Sequence, residues 1–296
     1  MKEDPLSMTE AVPQTTTLTS EDGLALFCRS WFPAEPVVAS VLLIHGLGEH
    51  SGRYQHVAEF FLQSGFAVFA IDLRGHGHSD GQRGHVDQYQ EYLTDVKTLI
   101  DYVRQQTPGL PRFLVGHSLG GLIVLTYALT YSDDITAVIA SAPAVRNRIQ
   151  IPVWKATFNN IIATIGPTLS FSNEINPELL SHDQAVVQAY QDDPLVHDQV
   201  TPRWFAEYTA AAEWTLEEAN TLAVPALILQ GGDDMIVDPT GSQEFFDRIG
   251  LEDKYYIQYE GLYHEIFNEP GYSGVLGDVE AWLVPRLQSL SLLIDA

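Results

Sequence analysis

Hydrophobic residues along the chain form short unbroken runs that alternate with longer stretches of helical spacing. The short runs predict strands buried on both faces, at residues 37–45, 66–71, 113–115, 135–141, 223–230 and 255–259. The longer stretches predict helices at residues 50–63, 86–106, 119–131, 241–249 and 274–290. Apolar and aromatic residues between 24 and 32 predict an early strand or hairpin. This alternation predicts an α/β fold, with a mostly parallel central sheet covered by helices on both faces.

Two segments depart from this rhythm. Residues 1–16 are polar and rich in threonine, which predicts an N-terminal tail. Residues 143–207 hold an apolar, aromatic stretch and then polar stretches with prolines. Because this second segment is too long for a simple loop, it predicts a helical insertion, or cap. The core then comprises residues 17–142 and 208–296.

Composition narrows the classes of function. The 296 residues suffice for a large core without disulfides, and the single cysteine, Cys28, excludes an intrachain one. Fifteen basic and 39 acidic residues give a formal net charge of −24, which counts against nucleic acid and against electrostatic docking on anionic membranes. The N-terminal sequence lacks signal-peptide features, and no apolar run has transmembrane length. We therefore expect a cytoplasmic protein.

The clearest chemical signal is the motif Gly116-His117-Ser118-Leu119-Gly120. It follows the apolar run RFLV and opens the helical stretch GLIVLTYAL, which is the setting that a G-x-S-x-G turn requires. Such a turn exposes the serine hydroxyl and places the next N–H at a helix N-terminus, where developing negative charge is favoured. The agreement of flanks and motif favours a nucleophile over a chance glycine–serine turn.

A serine nucleophile needs a base, and the base needs an orienting acid. Where this motif serves catalysis on an α/β fold, the chain order is serine, acid, histidine. Asp234 and His264 directly follow predicted strands, and sites gather at the carboxyl ends of parallel strands. Asp233 and Asp238 are alternative acids at this point. Two further histidines downstream of the serine lie in the insertion, away from a strand end, at His182 and His197.

The turn His45-Gly46-Leu47-Gly48 ends another predicted strand. A glycine-rich turn there can aim a second N–H, from Leu47, at a reacting carbonyl oxygen. A dinucleotide-binding loop is the competing interpretation, but the glycines do not have the G-x-G-x-x-G spacing.

A metal site is the weaker hypothesis for a second polar loop, which contains His76, His78 and Asp80. Histidines separated by one glycine occur readily in such loops, and no cysteine cluster or H-E-x-x-H motif accompanies them. We therefore expect chemistry without a metal or cofactor.

Several blocks together resemble one family, the monoacylglycerol lipase and lysophospholipase-like serine hydrolases of the α/β-hydrolase superfamily. The blocks are HGLGEHSGRY (45–54), DLRGHGHSDGQRGHV (72–86), GHSLGG (116–121), LILQGGDDMIVD (227–238) and YEGLYHEIFNE (259–269). The resemblance extends from about residue 20 to 290, and the first two blocks are far narrower signatures than G-x-S-x-G. It implies an α/β-hydrolase fold with a helical cap.

The resemblance also implies roles for individual residues. Ser118 becomes the nucleophile, His264 the base, and Asp234 the orienting acid by its position in the matching block. The backbone N–H groups of Leu47 and Leu119 become the oxyanion hole.

Substrate contacts follow from the same resemblance. Trp154 and Phe158 fall in the family's cap, where they line an acyl-binding tunnel or simply anchor the cap to the core. Glu49 and Arg53 match a segment at the polar end, where a glycerol headgroup is held. One helical turn separates these two residues, so a structural ion pair is the alternative, which we slightly favour. Phe267 replaces a histidine that helps to bind the headgroup in animal members, which leaves the headgroup preference open.

The combined prediction is a serine carboxylic ester hydrolase that releases fatty acid and glycerol from monoacylglycerols through an acyl-serine intermediate. Alternatives with the same triad are a lysophospholipase, a short-chain carboxylesterase and an acyl transferase. A non-catalytic binding protein on the same fold predicts a broken triad, which the sequence does not contain. The expected partner is a small-molecule lipid ester, with weak peripheral membrane contact through the apolar cap.

Overall fold

The computed structural model describes residues 11–34, 36–148 and 166–294. Its strands are Gln14–Thr19 (β1), Ala25–Trp31 (β2), Ala39–Ile44 (β3), Phe66–Ile71 (β4), Arg112–His117 (β5), Ala137–Ser141 (β6), Phe171–Ser172 (β7), Gln199–Val200 (β8), Ala226–Gly231 (β9) and Lys254–Tyr259 (β10). Eight strands form one sheet in the order β1-β2-β4-β3-β5-β6-β9-β10. The β1–β2 and β2–β4 pairs are antiparallel, and every other pair in this sheet is parallel. The short strands β7 and β8 pair with each other.

Helices pack on both faces of the large sheet. In the part of the chain that the structure describes, they are Gln55–Gln63 (α1), Gln90–Gln106 (α2), Leu119–Thr130 (α3), Gln184–Asp192 (α4), Pro202–Glu218 (α5), Pro239–Arg248 (α6) and Tyr272–Ile294 (α7). One apolar layer joins the sheet to α2, α3, α5 and α6, and the other joins it to α1 and α7. Among the described residues, no helix is long and apolar enough to cross a membrane.

Strand β3 illustrates why most residues of the central strands are apolar. Leu42 and Ile44 point into the layer of α2 and α3, whereas Val41 and Leu43 point into the layer of α1 and α7. Because successive side chains alternate between two dry faces, every position must be apolar or small. The predicted α/β-hydrolase fold, with a mostly parallel sheet between helices, is therefore confirmed.

Two observed elements cross the predicted domain limits. Strand β1 begins at Gln14, inside the predicted tail of residues 1–16, because its backbone pairs with β2 despite its polar side chains. Helix α5 begins at Pro202 and crosses the predicted end of the insertion at residue 207. Its N-terminal turn already belongs to the core, since Trp204 donates a hydrogen bond of 3.0 Å to the Tyr92 hydroxyl on α2.

Candidate active site

The turn between β5 and α3 presents Ser118 in a left-handed conformation, with φ 55° and ψ −117°. Glycines make this turn sterically feasible. A Cβ on Gly116 would lie 2.2 Å from the Gly120 carbonyl oxygen, and one on Gly120 would lie 2.1 Å from the Ile44 carbonyl oxygen. A strained conformation of this kind marks a functional position when the surrounding packing enforces it. The serine hydroxyl is thereby held at the carboxyl edge of the sheet.

Three predicted residues meet at this edge. His264 Nε2 lies 2.9 Å from Ser118 Oγ, and His264 Nδ1 lies 2.7 Å from Asp234 Oδ2. The Nδ1–H donates to the carboxylate, which leaves Nε2 free to accept the serine O–H. Asp234 and His264 are 0% and 3% exposed, so solvent does not compete for these bonds. The arrangement matches the geometry that activates a serine nucleophile.

Asp234 is held by its own strand-to-helix turn. Its Oδ1 accepts the N–H groups of Ile236 and Val237, and its Oδ2 accepts Gln230 Nε2. Burial alone would raise the pKa of the carboxyl, but His264 and the backbone N–H groups outweigh burial and lower it. The carboxylate is therefore ionised and fixed in direction.

The competing acids lie elsewhere. Asp233 is exposed, and Asp238 caps α6 by accepting the Thr240 N–H. The competing histidines are also engaged away from Ser118: His182 pairs with Glu269, and the His197 N–H donates to the Gly48 carbonyl.

The two imidazoles near Ser118 have opposite electrostatic surroundings. Burial disfavours the charged form of His264, but the adjacent Asp234 carboxylate outweighs burial and raises the pKa. Burial and the nearby His264 lower the pKa of His117 to about 4. The rings of His117 and His264 lie 4.7 Å apart between centroids. His117 is thus a neutral neighbour, whereas His264 is poised to take up a proton.

The predicted oxyanion turn lies beside Ser118 and has a buried scaffold. The Gly46 N–H donates to Glu49 Oε1 at 2.6 Å, and His45 Nδ1 donates to the Gly46 carbonyl at 2.7 Å. Leu119 is the first residue of α3, so its N–H belongs to the helix turn that lacks internal acceptors. Leu47 and Ser118 both line the adjoining cleft.

Both apolar and polar side chains line this cleft. The apolar residues among its described lining are Leu47, Ile175, Leu180 and Ile236, and the polar ones include Glu49 and His117. The lining can therefore contact both apolar and polar groups of a ligand.

Arg53 binds two carboxylates of the cleft lining, Glu49 and Glu265. Its Nη1 lies 2.6 Å from Glu49 Oε2 and 2.6 Å from Glu265 Oε1, and its Nη2 lies 2.7 Å from Glu265 Oε2. Its guanidinium also lies 4.8 Å from the ring centroid of Tyr190 on α4. The predicted ion pair of Glu49 and Arg53 is present, and its third member, Glu265, was missed. The sequence did contain one signal for Glu265, since this acidic residue directly follows the candidate base, His264.

Two further predictions concern the substrate-binding residues. Phe267 is 3% exposed and packs in the apolar layer that includes α1 and α7, and it is not among the described residues that line the cleft. Its role as a substrate contact stays a prediction. Trp154 and Phe158 lie outside the described residues.

The segment that carries His264 is attached to the insertion. Glu269 is 1% exposed and accepts hydrogen bonds from His182 Nδ1, the His182 N–H and the Tyr263 N–H. The N–H of Glu265 donates to the Leu180 carbonyl at 2.8 Å. These bonds fix the position of the loop that carries His264 relative to the region before α4.

The insertion is also attached to the predicted oxyanion turn. The His197 N–H donates to the Gly48 carbonyl at 2.9 Å. His50 Nε2 donates to Asp193 Oδ2 at 2.8 Å. The loop that carries His264 and the turn at residues 45–50 thus both contact the region between residues 180 and 197.

The loop considered as a metal site is occupied by internal contacts. His76 Nδ1 bonds to the Arg74 carbonyl, the His78 N–H donates to Asp72, and Asp80 accepts the Ala25 N–H. The part of the chain that the structure describes contains no cluster of three or more residues suited to hold a metal ion.

Comparison with known proteins shows the family of this chain. The family model described as "Serine aminopeptidase, S33" matches residues 35–271. The chain belongs to this family. Among its curated relatives, the monoacylglycerol lipase of Mycolicibacterium smegmatis is 35% identical over 90% of this chain and 95% of its own length. Phospholipase YtpA of Bacillus subtilis is 35% identical over 80% of this chain and 92% of its own length.

A solved structure of a monoacylglycerol lipase shares the fold. The crystal structure of Paleococcus ferrophilus monoacylglycerol lipase superimposes with a TM-score of 0.81, at 36% identity, over 88% of this chain and 99% of that one. The chain is accordingly a serine hydrolase, as its sequence predicts.

Proposed function

We propose that this S33 hydrolase cleaves monoacylglycerols into fatty acid and glycerol, with Ser118, His264 and Asp234 as its catalytic triad. The observation that carries the proposal is the hydrogen-bonded line of these three side chains, two of which, Ser118 and His264, line a cleft with both apolar and polar side chains. The monoacylglycerol lipases among its relatives support the same substrate class.

Acylation begins when Ser118 Oγ attacks the ester carbonyl carbon and His264 Nε2 takes the serine proton. The carbonyl oxygen becomes an oxyanion, which the N–H groups of Leu47 and Leu119 stabilise, each typically by about 3–4 kcal/mol. The imidazolium formed is stabilised by Asp234. It then donates its proton to the glycerol oxygen, and the bond between that oxygen and the acyl carbon breaks.

Deacylation repeats these steps with water. His264 removes a proton from a water molecule, which attacks the acyl carbon of acyl-Ser118. The tetrahedral intermediate collapses, Ser118 Oγ recovers a proton from His264, and the fatty acid leaves. No metal or cofactor takes part in either half of the reaction as proposed.

The pH dependence should follow the state of His264. Because only the neutral imidazole accepts the serine proton, kcat/KM should fall as the pH drops through the pKa of His264. That pKa is raised above the ordinary 6.5, so the acidic limb should have its midpoint above pH 6.5. Rates of p-nitrophenyl butyrate hydrolysis between about pH 5 and 9 measure the midpoint. A midpoint below 6.5 would contradict the assignment.

The rival with a specific observation behind it is a lysophospholipase, since phospholipase YtpA is also 35% identical. A panel of monooleoylglycerol, lysophosphatidylcholine and p-nitrophenyl butyrate separates these activities. We expect kcat/KM to be highest for monooleoylglycerol, by about tenfold or more, because the headgroup and acyl contacts act together. A higher value for lysophosphatidylcholine would favour the rival, and one for the butyrate ester a short-chain esterase.

The remaining expectations stay predictions. Membrane contact, if made through the apolar part of the insertion, should not require anionic lipid, given the net charge of −24. The cytoplasmic location likewise stays a prediction.

A further inference from the structure

Two carboxylates that line the cleft, Glu49 and Glu265, share one cationic partner, Arg53. Glu49 and Glu265 are each 3% exposed, and both pair with the single guanidinium of Arg53. Burial would raise the pKa of Glu49, but Arg53 outweighs burial and holds it at about 2, so the carboxyl is ionised at neutral pH. No lysine or arginine is among the described residues that line this cleft. The formal charges of Glu49, Arg53 and Glu265 sum to −1.

Arg53 is not available to bind an anion. Its Nη1 and Nη2 form a bidentate interaction with the Glu265 carboxylate, and Nη1 also donates to Glu49. The face of the guanidinium lies against Tyr190, and the whole side chain is only 10% exposed. An incoming phosphate would therefore have to displace Glu265, which binds Arg53 in the favoured fork geometry.

We propose that Glu265 is a specificity-determining residue that, with Glu49, makes this cleft reject esters with an anionic headgroup, such as a glycerol phosphate monoester. The inference rests on the proposed function, because it concerns the headgroup of the same ester substrate. A neutral polyol suits such a site, since its hydroxyl groups can donate to the carboxylates. A phosphate has no proton to offer at full ionisation and meets two like charges in a desolvated setting.

The first test compares three octanoyl esters at monomeric concentrations with the wild-type enzyme: 1-octanoylglycerol, its 3-phosphate and its 3-phosphocholine. We expect kcat/KM for the phosphate ester to be lower than for octanoylglycerol by about 100-fold or more, because buried like charges repel. The phosphocholine ester is bulkier than the phosphate ester but has no net charge. If charge decides, it is hydrolysed faster than the phosphate ester; if it is hydrolysed no faster, size decides and the proposal is overturned.

The second test is Glu265→Gln. The amide of glutamine has one acceptor oxygen where the carboxylate has two. Arg53 therefore loses one hydrogen-bond acceptor, and the site loses one negative charge. We expect the ratio of kcat/KM for octanoylglycerol over its phosphate to fall by about tenfold or more. The matched control is Glu213→Gln, which removes an exposed carboxylate from α5 and should keep the wild-type ratio. An unchanged ratio in folded Glu265→Gln would overturn the proposal.

Thermal unfolding and fluorophosphonate labelling of Ser118 check that the variant is folded. If it is not, the order of the three esters in the wild-type enzyme decides the matter alone.

Failure of the proposed function has a different signature. The wild-type enzyme would then hydrolyse octanoylglycerol no faster than Ser118→Ala does. In that case the headgroup inference is tested by measuring how well each ester protects Ser118 from labelling by fluorophosphonate. Protection by octanoylglycerol but not by its phosphate supports the inference, and equal protection overturns it.

Discussion

Replacing Ser118 with Ala is expected to lower kcat for monooleoylglycerol hydrolysis by about 10⁴-fold or more, as for other serine triads. The hydroxyl lies 2.9 Å from His264 Nε2 and is the group that would form the acyl intermediate, so no other side chain replaces it. Its removal leaves the imidazole and the oxyanion donors in place, which accounts for a small residual rate. The measurement is steady-state hydrolysis together with fluorophosphonate labelling, which should vanish.

The control for this substitution is Ser132→Ala. Ser132 lies just beyond α3, at the opposite end of that helix from Ser118, and is partly exposed. This variant should keep wild-type turnover and labelling. Undiminished turnover in Ser118→Ala would refute the proposed mechanism.

The second large effect is expected from Asp234→Asn, which should lower kcat by about 10³–10⁴-fold. An amide at this position is neutral, so it no longer stabilises the imidazolium of His264. It can also present an N–H to Nδ1, which favours the imidazole tautomer that carries its proton on Nε2. In that tautomer Nε2 cannot accept the serine proton. Since the Asp234 carboxylate raises the pKa of His264, any residual activity should have its acidic midpoint at lower pH.

A neighbouring carboxylate provides the matched control for Asp234→Asn. Asp233 precedes Asp234 directly but is exposed, and its N–H donates to the Leu262 carbonyl. Asp233→Asn should therefore retain near wild-type kcat. If Asp233→Asn lost activity and Asp234→Asn kept it, the assignment of the acid would be reversed.

The central sheet was readable from the sequence because its strands are buried on both faces. The run Phe66–Ile71 is entirely buried, and its predicted and observed bounds coincide. Helix α2 was predicted from residue 86 but begins at Gln90, because Val86 and Tyr89 are buried loop residues with helical spacing. Periodicity reports burial, and it does not distinguish a helix from a loop packed on the same surface.

The start of α5 carried a local signal that periodicity alone does not use. Thr201 Oγ1 accepts the Trp204 N–H, and proline occupies the first helical position. A threonine followed by proline is a common helix start, since it supplies a cap and dispenses with an N–H. The predicted core boundary at residue 208 therefore fell inside a continuous helix.

The site was predictable to the extent that each group sits in a turn directly after a strand. Ser118 and His264 satisfy this rule, and the geometry brings them within hydrogen-bond distance. Glu265 was not predictable in the same way, because its partner Arg53 lies far away in the sequence and only the fold joins them. The inward path of Phe267 depends likewise on the packing of α7, which the spacing of a motif does not encode.

The hydrogen bonds between the insertion and the core affect any attempt to change substrate specificity by replacing the insertion. Leu180 bonds to the backbone of Glu265, Asp193 bonds to His50, and His197 bonds to Gly48. The part of the insertion from Leu180 to His197 therefore supports the loops that carry the proposed active site, and it cannot be replaced independently of them. A chimaera in which the whole insertion is replaced would lose the contacts to both loops at once. Replacements should therefore end before Leu180, so that the part from Leu180 to His197 is kept.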